Sequence, residues 1–92
     1  MIVIPKEFRL FGKTWKVTQP YKVYTDNRDG ECNYRKATIK LRRTMDKENK
    51  EITYIHEILH AVYDALGYPE LRDDEELIDR QSKALHQVLS QK

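Results

Sequence analysis

The sequence predicts an α+β domain, with a short, mainly antiparallel sheet in the first half of the chain and two helices in the second. Up to residue 42, apolar residues alternate with polar ones, as they do in strands that bury one face. From residue 47 onward, apolar residues recur every three or four positions in two separate runs, which is the pattern of two amphipathic helices. At 92 residues, the chain is expected to form a single small domain spanning residues 1–92.

The first predicted elements are strands. Alternating residues near 8–10 and 15–17 predict a hairpin whose tight turn has Gly12 at its first central position and Lys13 at its second. A polar loop from Tyr24 to Gly30 follows. Further strands are predicted at Glu31–Tyr34 and Thr38–Arg42, and the second of these leads into the first helix.

The first helix is predicted over Lys47–Leu66. Asp46 is a suitable N-cap, and Gly67 followed by Pro69 provides a stop. One apolar stripe runs along this helix at spacings of three and four, through Ile52, Ile55, Leu59, Val62 and Leu66.

The helix carries the sequence His56-Glu57-Ile58-Leu59-His60. Two histidines four residues apart stand on the same face of a helix, so both can bind one metal ion. Glu57 points about 100° away around the helix, where it cannot ligate alongside both histidines but can reach a water on the metal. The pattern therefore predicts a catalytic Zn²⁺ site in which Glu57 is the general base.

A catalytic zinc usually has three protein ligands, so one more donor is required. The second helix, predicted over Asp73–Leu89, begins with a run of acidic residues, and of these Glu75 shares the face expected to point inward. That face comprises Leu71, Glu75, Ile78, Ser82, Leu85 and Leu89. Glu75 is therefore the expected third ligand, with Glu76 as the alternative. Asp79, one turn later, is expected to accept a hydrogen bond from a ligating imidazole.

Two other donors are weaker candidates. Cys32 has no paired cysteine and is expected to be a reduced thiol in or near a strand. His86 lies eleven residues after Glu75, about 16 Å along a helix, and is expected to be a surface histidine.

From Thr38 to Leu89 the chain resembles a very small gluzincin, the metallopeptidase group defined by His-Glu-x-x-His and a downstream glutamate ligand. Glu75 and Asp79 have the spacing of that glutamate and of the aspartate that follows it in gluzincins. In size the chain is similar to the compact ImmA/IrrE-like peptidase domains of phages and mobile elements. The resemblance implies zinc-dependent hydrolysis of a peptide or protein substrate. It also implies that Thr38–Arg42 pairs with extended substrate, unless that strand lies inside the sheet.

Charge leaves a second hypothesis open. The first half of the chain is basic and the second acidic, with the densest basic cluster at Arg35, Lys36, Lys40, Arg42 and Arg43. The alternative function is thus a non-catalytic or weakly catalytic module that binds nucleic acid or a protein regulator through a basic sheet face. A third hypothesis is a domain in which zinc has a purely structural role. The short apolar start and the single cysteine predict a soluble, cytoplasmic protein without a membrane span.

Overall fold

A computed structural model describes residues 2–23 and 28–91. It confirms the α+β class, with a four-stranded, mainly antiparallel sheet followed by helices. The elements are β1 (Glu7–Leu10), β2 (Lys13–Thr18), β3 (Gly30–Asn33), β4 (Thr38–Leu41), α1 (Lys47–Leu66), α2 (Pro69–Arg72) and α3 (Glu75–Leu89). Residues 24–27 of the predicted polar loop lie outside the described residues. Within residues 2–23 and 28–91, no helix has the length and apolar character that a membrane span requires.

The β1–β2 hairpin turns one residue earlier than predicted. Leu10 pairs with Lys13, so Phe11 and Gly12 are the central residues, with φ of 49° and 78°. Two positive φ values define a type I′ turn, the type whose twist matches a hairpin. Gly12 therefore occupies the second central position, not the first.

The strand order is β1-β2-β4-β3, and this order decides which strand is exposed. β4 pairs in parallel with β2 and antiparallel with β3, so Thr38–Leu41 is an interior strand. Of the two alternatives for this strand, the interior position is confirmed, and pairing with substrate is excluded because its backbone groups are already paired on both sides. The edge strand on that side of the sheet is β3.

The core lies between the sheet and α1. Trp15 and Val17 of β2 and Ile39 and Leu41 of β4 point to the buried face of the sheet. They form one cluster with Tyr54 and Ala61 of α1. Ile39 and Leu41 are completely buried, and each such side chain stabilises the fold by about 1.5–3 kcal/mol.

The ends of α1 were predicted correctly because they depend on local chemistry. The Asp46 side chain accepts a hydrogen bond from the Asn49 amide at 3.2 Å, and Gly67 ends the helix with φ of 82°. The stripe prediction was less complete. Ile55 is buried, but Leu66 is 47 % exposed at the end of the helix.

The C-terminal region differs from the prediction in two ways. Pro69 does not simply end α1, since it begins the short helix α2, where a proline at the first position loses no hydrogen bond. Asp74 then caps α3 by accepting from the Leu77 amide at 3.0 Å, so α3 starts at Glu75 and not at Asp73. In the predicted inward stripe of α3 only Ile78 and Ser82 are fully buried, whereas Leu85 and Leu89 are 40 % and 58 % exposed. His86, next to Leu85, contacts Glu51 of α1, so the packed face of α3 turns away from the predicted stripe.

Candidate metal centre

Three predicted ligands come together at the junction of α1 and α3. The Nε2 atoms of His56 and His60 are 3.3 Å apart. Glu75 faces both, with one carboxylate oxygen 3.1 Å from Nε2 of His56 and the other 3.0 Å from Nε2 of His60. Within the described residues, these three are the one group of metal-binding side chains whose ligand atoms converge, all within 4.8 Å of one another.

The spacing of these donors fits a zinc ion. Tetrahedral zinc holds nitrogen and oxygen ligands at 2.0–2.1 Å, which places the ligand atoms about 3.3 Å from one another. The two imidazole nitrogens, 3.3 Å apart, match this value, and each lies 3.0–3.1 Å from a different oxygen of Glu75. With one ligand atom taken from each residue, the three atoms lie within 4.8 Å of one another. Two imidazole nitrogens and one carboxylate are also a donor set that zinc accepts, leaving the fourth position for water.

The tautomer of His60 follows from its partner on the other side of the ring. Its Nδ1 lies 2.7 Å from the backbone carbonyl oxygen of Arg72. A carbonyl only accepts, so Nδ1 carries the proton and Nε2 presents its lone pair to the metal position. Burial lowers the pKa of His60, although Glu75 acts in the opposite direction, and this favours the neutral ring that a metal ligand needs.

Arg72 is held in place by its own side chain. The guanidinium donates to Asp64 of α1 at 2.8 Å and to the neighbouring Asp73 at 2.9 Å. It also lies over the ring of Tyr34, 5.1 Å from the centroid. The sequence analysis missed this residue. The signal that could have found it is the proline two residues after Gly67, which places a short helix, and hence the Arg72 carbonyl, beside α1.

Asp79 lies on the expected side of the site, but it does not accept the expected hydrogen bond from a ligating imidazole. Its Oδ1 is 4.0 Å from Nδ1 of His56, beyond hydrogen-bonding distance. Its other oxygen accepts from Lys83 at 3.0 Å. The histidine with a firm partner is His60, and that partner is a backbone carbonyl.

Glu57 is buried beside the ligands. Burial, followed by the negative charges of Glu75 and Glu31, raises its pKa from an ordinary 4.5 to about 8, while Arg28 acts in the opposite direction. Strand β3 passes so close that a Cβ added to Gly30 would lie 3.0 Å from Oε2 of Glu57. A glycine at this position therefore leaves space for the carboxylate.

The other candidate donors lie elsewhere or are inert. Glu76 pairs with Arg80 on the exposed side of α3 at 2.9 Å, which leaves Glu75 as the glutamate at the site. His86 was expected to be a surface histidine, and this is wrong. It packs against α1, where its Nε2 lies 2.8 Å from a carboxylate oxygen of the buried Glu51. Cys32 lies in β3 and lines the cleft, but burial and then the charge of Glu57 raise its pKa, so it remains a thiol.

The site opens into a cleft of about 290 Å³. Besides the metal-centre residues, it is lined by Arg28, Glu31 and Tyr34, which the sequence analysis did not assign to the site. The hydroxyl of Tyr34 is 3.3 Å from Nδ1 of His60, on the side of the ring away from Glu75. Comparison with protein-family models, with curated proteins and with solved structures gives no match to this chain.

Proposed function

We propose that this protein is a zinc-dependent peptidase of the gluzincin type. The observation that carries the proposal is the convergence of one ligand atom each from His56, His60 and Glu75 within 4.8 Å, with a buried glutamate, Glu57, beside them. His56, His60 and Glu75 would hold the zinc, which would lower the pKa of its bound water and polarise the carbonyl of the scissile bond.

Glu57 is the residue that moves the proton. In the proposed reaction its carboxylate accepts a proton from the attacking water, whose oxygen bonds to the carbonyl carbon. The same proton then passes to the amide nitrogen as the carbon–nitrogen bond breaks, releasing an amine and a carboxylic acid, which then transfers its proton to the amine or to water. A carboxyl whose pKa is raised to about 8 in the metal-free site holds such a proton readily, and a bound cation restores its acceptor form.

Strand β3 supplies the backbone surface that an extended peptide needs. It is an edge strand, paired with β4 on one side, and it also forms one wall of the cleft. Unpaired N–H and C=O groups on such an edge can add a peptide as a further strand. In the proposal, the strand that pairs with extended substrate is therefore Gly30–Asn33 and not Thr38–Arg42.

The alternative of a nucleic-acid or partner-binding module gains no support from the outer face of the sheet. Glu7 stands opposite Lys16 on neighbouring strands, and Glu31 stands opposite Lys40. Arg42, in the densest basic cluster, pairs with Asp29 at 2.6 Å. Acidic residues therefore accompany the basic ones, and this face lacks the single-sign charge that phosphate binding favours.

The first test is the zinc content of purified, untagged protein after zinc is offered and excess removed. One zinc per chain is expected for wild type, with loss in His60→Ala and in Glu75→Ala. Glu76→Ala is the matched control, because Glu76 is the next residue but pairs away from the site. Retention of zinc in Glu75→Ala together with its loss in Glu76→Ala would show that the ligand set is wrong.

The second test is cleavage of a peptide library by the zinc-loaded protein. Wild type is expected to cleave, and Glu57→Gln is expected to keep its zinc while losing at least about a hundredfold in rate, since a positioned general base contributes 10²–10⁴-fold. Equal rates in the two proteins would remove Glu57 from the mechanism.

A further inference from the structure

Phe11 occupies a position in the β1–β2 turn that suits neither its backbone nor its side chain. It is the first central residue of the type I′ turn, with φ of 49°, a conformation that asparagine or glycine adopts readily and a bulky residue does not. Its side chain is 74 % exposed and therefore gains little from burial. Strained residues cluster at functional sites. The turn thus presents an aromatic ring to solvent at a cost that the fold itself does not explain.

The end of the sheet that carries Phe11 is basic. The first residues of β2 and β4 and the last residues of β3 lie at this end, because β4 runs parallel to β2 and antiparallel to β3. We call residues 8–15 and 33–38 the basic end. They contain no acidic residue and four basic ones, Arg9, Lys13, Arg35 and Lys36. In the part of the chain that the structure describes, none of these four pairs with a carboxylate.

The connection between α1 and α3 has the opposite charge. Residues 64–76, which we call the acidic corner, contain six acidic side chains and a single basic one. Three large apolar side chains of the same segment, Leu66, Tyr68 and Leu71, are exposed. Residues 67–71 line a groove of about 380 Å³. The acidic corner therefore offers an apolar groove within negative charge, which complements an aromatic ring within positive charge.

Tyr34 lies between the basic end and the acidic corner. Nζ of Lys13 donates to its backbone carbonyl oxygen at 3.2 Å. The guanidinium of Arg72 lies over its ring, 5.1 Å from the centroid. The two surfaces are therefore neighbours on the same side of the molecule. In a second copy related by a twofold axis, each surface can face the other one, since such an interface joins residue i to j and j to i.

We propose that this chain forms a twofold homodimer in which Phe11 of each copy enters the groove at residues 67–71 of the other. A second copy supplies both groups that the groove calls for, an apolar ring and a surrounding positive charge. The contact occurs twice in each dimer. Because Tyr34 also lines the cleft, the interface borders the candidate metal centre. The proposal goes beyond the proposed function and does not depend on it.

Sedimentation equilibrium of untagged protein, up to about 1 mM, tests the proposal. The average mass of wild type is expected to rise from one chain toward two. Phe11→Asn is expected to weaken the dimer at least about tenfold, because it removes the buried ring. Its urea midpoint should not fall, since asparagine suits this turn. Val88→Asn is the matched control and should associate as wild type does. Val88 is also exposed, but it lies beside His86, which contacts Glu51 near the start of α1, whereas the groove follows the end of α1.

Charge reversal tests which surfaces meet. In a dimer of Lys13→Glu both contacts bring like charges together, and the same is true of Glu70→Lys, so each variant alone should associate at least about tenfold more weakly than wild type. In an equimolar mixture of the two, a mixed dimer has one wild-type contact and one contact with the charges exchanged. Both contacts are then attractive, and association should return toward the wild-type level.

Three results would overturn the proposal. The first is a wild type that remains a single chain up to about 1 mM. The second is a dimer that Phe11→Asn leaves unchanged, because that dimer would use another surface. The third is a mixture of the two reversed variants that associates no better than either one alone. Mass and stability are the only readouts, so a failure of zinc binding or of peptide cleavage would count against the proposed function and not against the dimer.

Discussion

Replacing Glu57 by glutamine should stabilise the metal-free protein, and the gain should grow with pH. In the unfolded chain this carboxyl has its ordinary pKa of 4.5, whereas burial and then the charges of Glu75 and Glu31 raise the pKa to about 8 in the folded state. Between these two values the folded protein binds the proton more tightly than the unfolded chain does. The free energy of unfolding therefore falls as pH rises from 4.5 to 8.

The magnitude follows from the separation of the two pKa values. One pKa unit corresponds to about 1.4 kcal/mol, so the ionisation of Glu57 costs on the order of 3 kcal/mol of stability at pH 7 and little at pH 4.5. Glutamine has nearly the same shape and does not ionise. For a small domain with a total stability of roughly 5–10 kcal/mol, a gain of this size is readily measured.

The assay is urea unfolding of wild type and Glu57→Gln in the presence of a chelator, at pH 5, 6, 7 and 8. The difference in unfolding free energy should be about 1 kcal/mol at pH 5, about 3 kcal/mol at pH 7 and about 4 kcal/mol at pH 8. Glu76→Gln, at an exposed position paired with Arg80, should show no pH-dependent difference. Added zinc should shrink the Glu57→Gln gain, because a cation beside the carboxylate lowers its pKa. A gain that is the same at pH 5 and pH 8 would refute the reasoning.

Three further predictions concern the walls of the site. Gly30→Ala should lower the unfolding free energy by about 1–3 kcal/mol in urea titrations, because the new Cβ would lie 2.7 Å from Cγ2 of Thr53. An unchanged urea midpoint would contradict this and would mean that β3 moves away from Thr53 without loss of stability. Arg72→Ala should weaken zinc binding about tenfold in a chelator competition, because it frees the backbone carbonyl that orients the His60 imidazole. Arg80→Ala, on the exposed face of α3, should leave the zinc affinity unchanged, and equal affinities in the two variants would contradict the prediction. Cys32 should be alkylated at least about tenfold more slowly in folded protein than in urea at pH 8, as followed by mass spectrometry, since burial raises its pKa; equal rates would mean that the thiol is accessible.

The features that could be predicted from sequence are those that depend on neighbouring residues. Asp46 and Gly67 bound α1 through contacts within four residues, so the helix limits were correct. Within that helix, the four-residue spacing of His56 and His60 fixes their common face, and the structure places their Nε2 atoms 3.3 Å apart. Glu75 could be selected among four acidic residues because its helix position is set by Asp74 and the residues that follow.

The features that could not be predicted depend on how distant segments pair. The interior position of β4 arises from its parallel pairing with β2, a crossover that no local pattern records. Pro69 indicates where the one-turn helix α2 begins, but nothing local indicates that the Arg72 carbonyl packs against His60. The part that β3 plays as a wall of the cleft follows only from the sheet order, which makes this strand an edge.

Negative charge is concentrated at the candidate metal centre, where Glu57 is buried and Glu75 contacts two imidazoles beside a cleft of about 290 Å³. Of these two carboxylates the buried one is unfavourable in the metal-free fold, because burial and the charge of Glu75 raise the pKa of Glu57. A cation bound by His56, His60 and Glu75 would lower that pKa again and so remove part of the cost of burying Glu57. In the proposed function, this buried carboxylate therefore couples metal binding to folding.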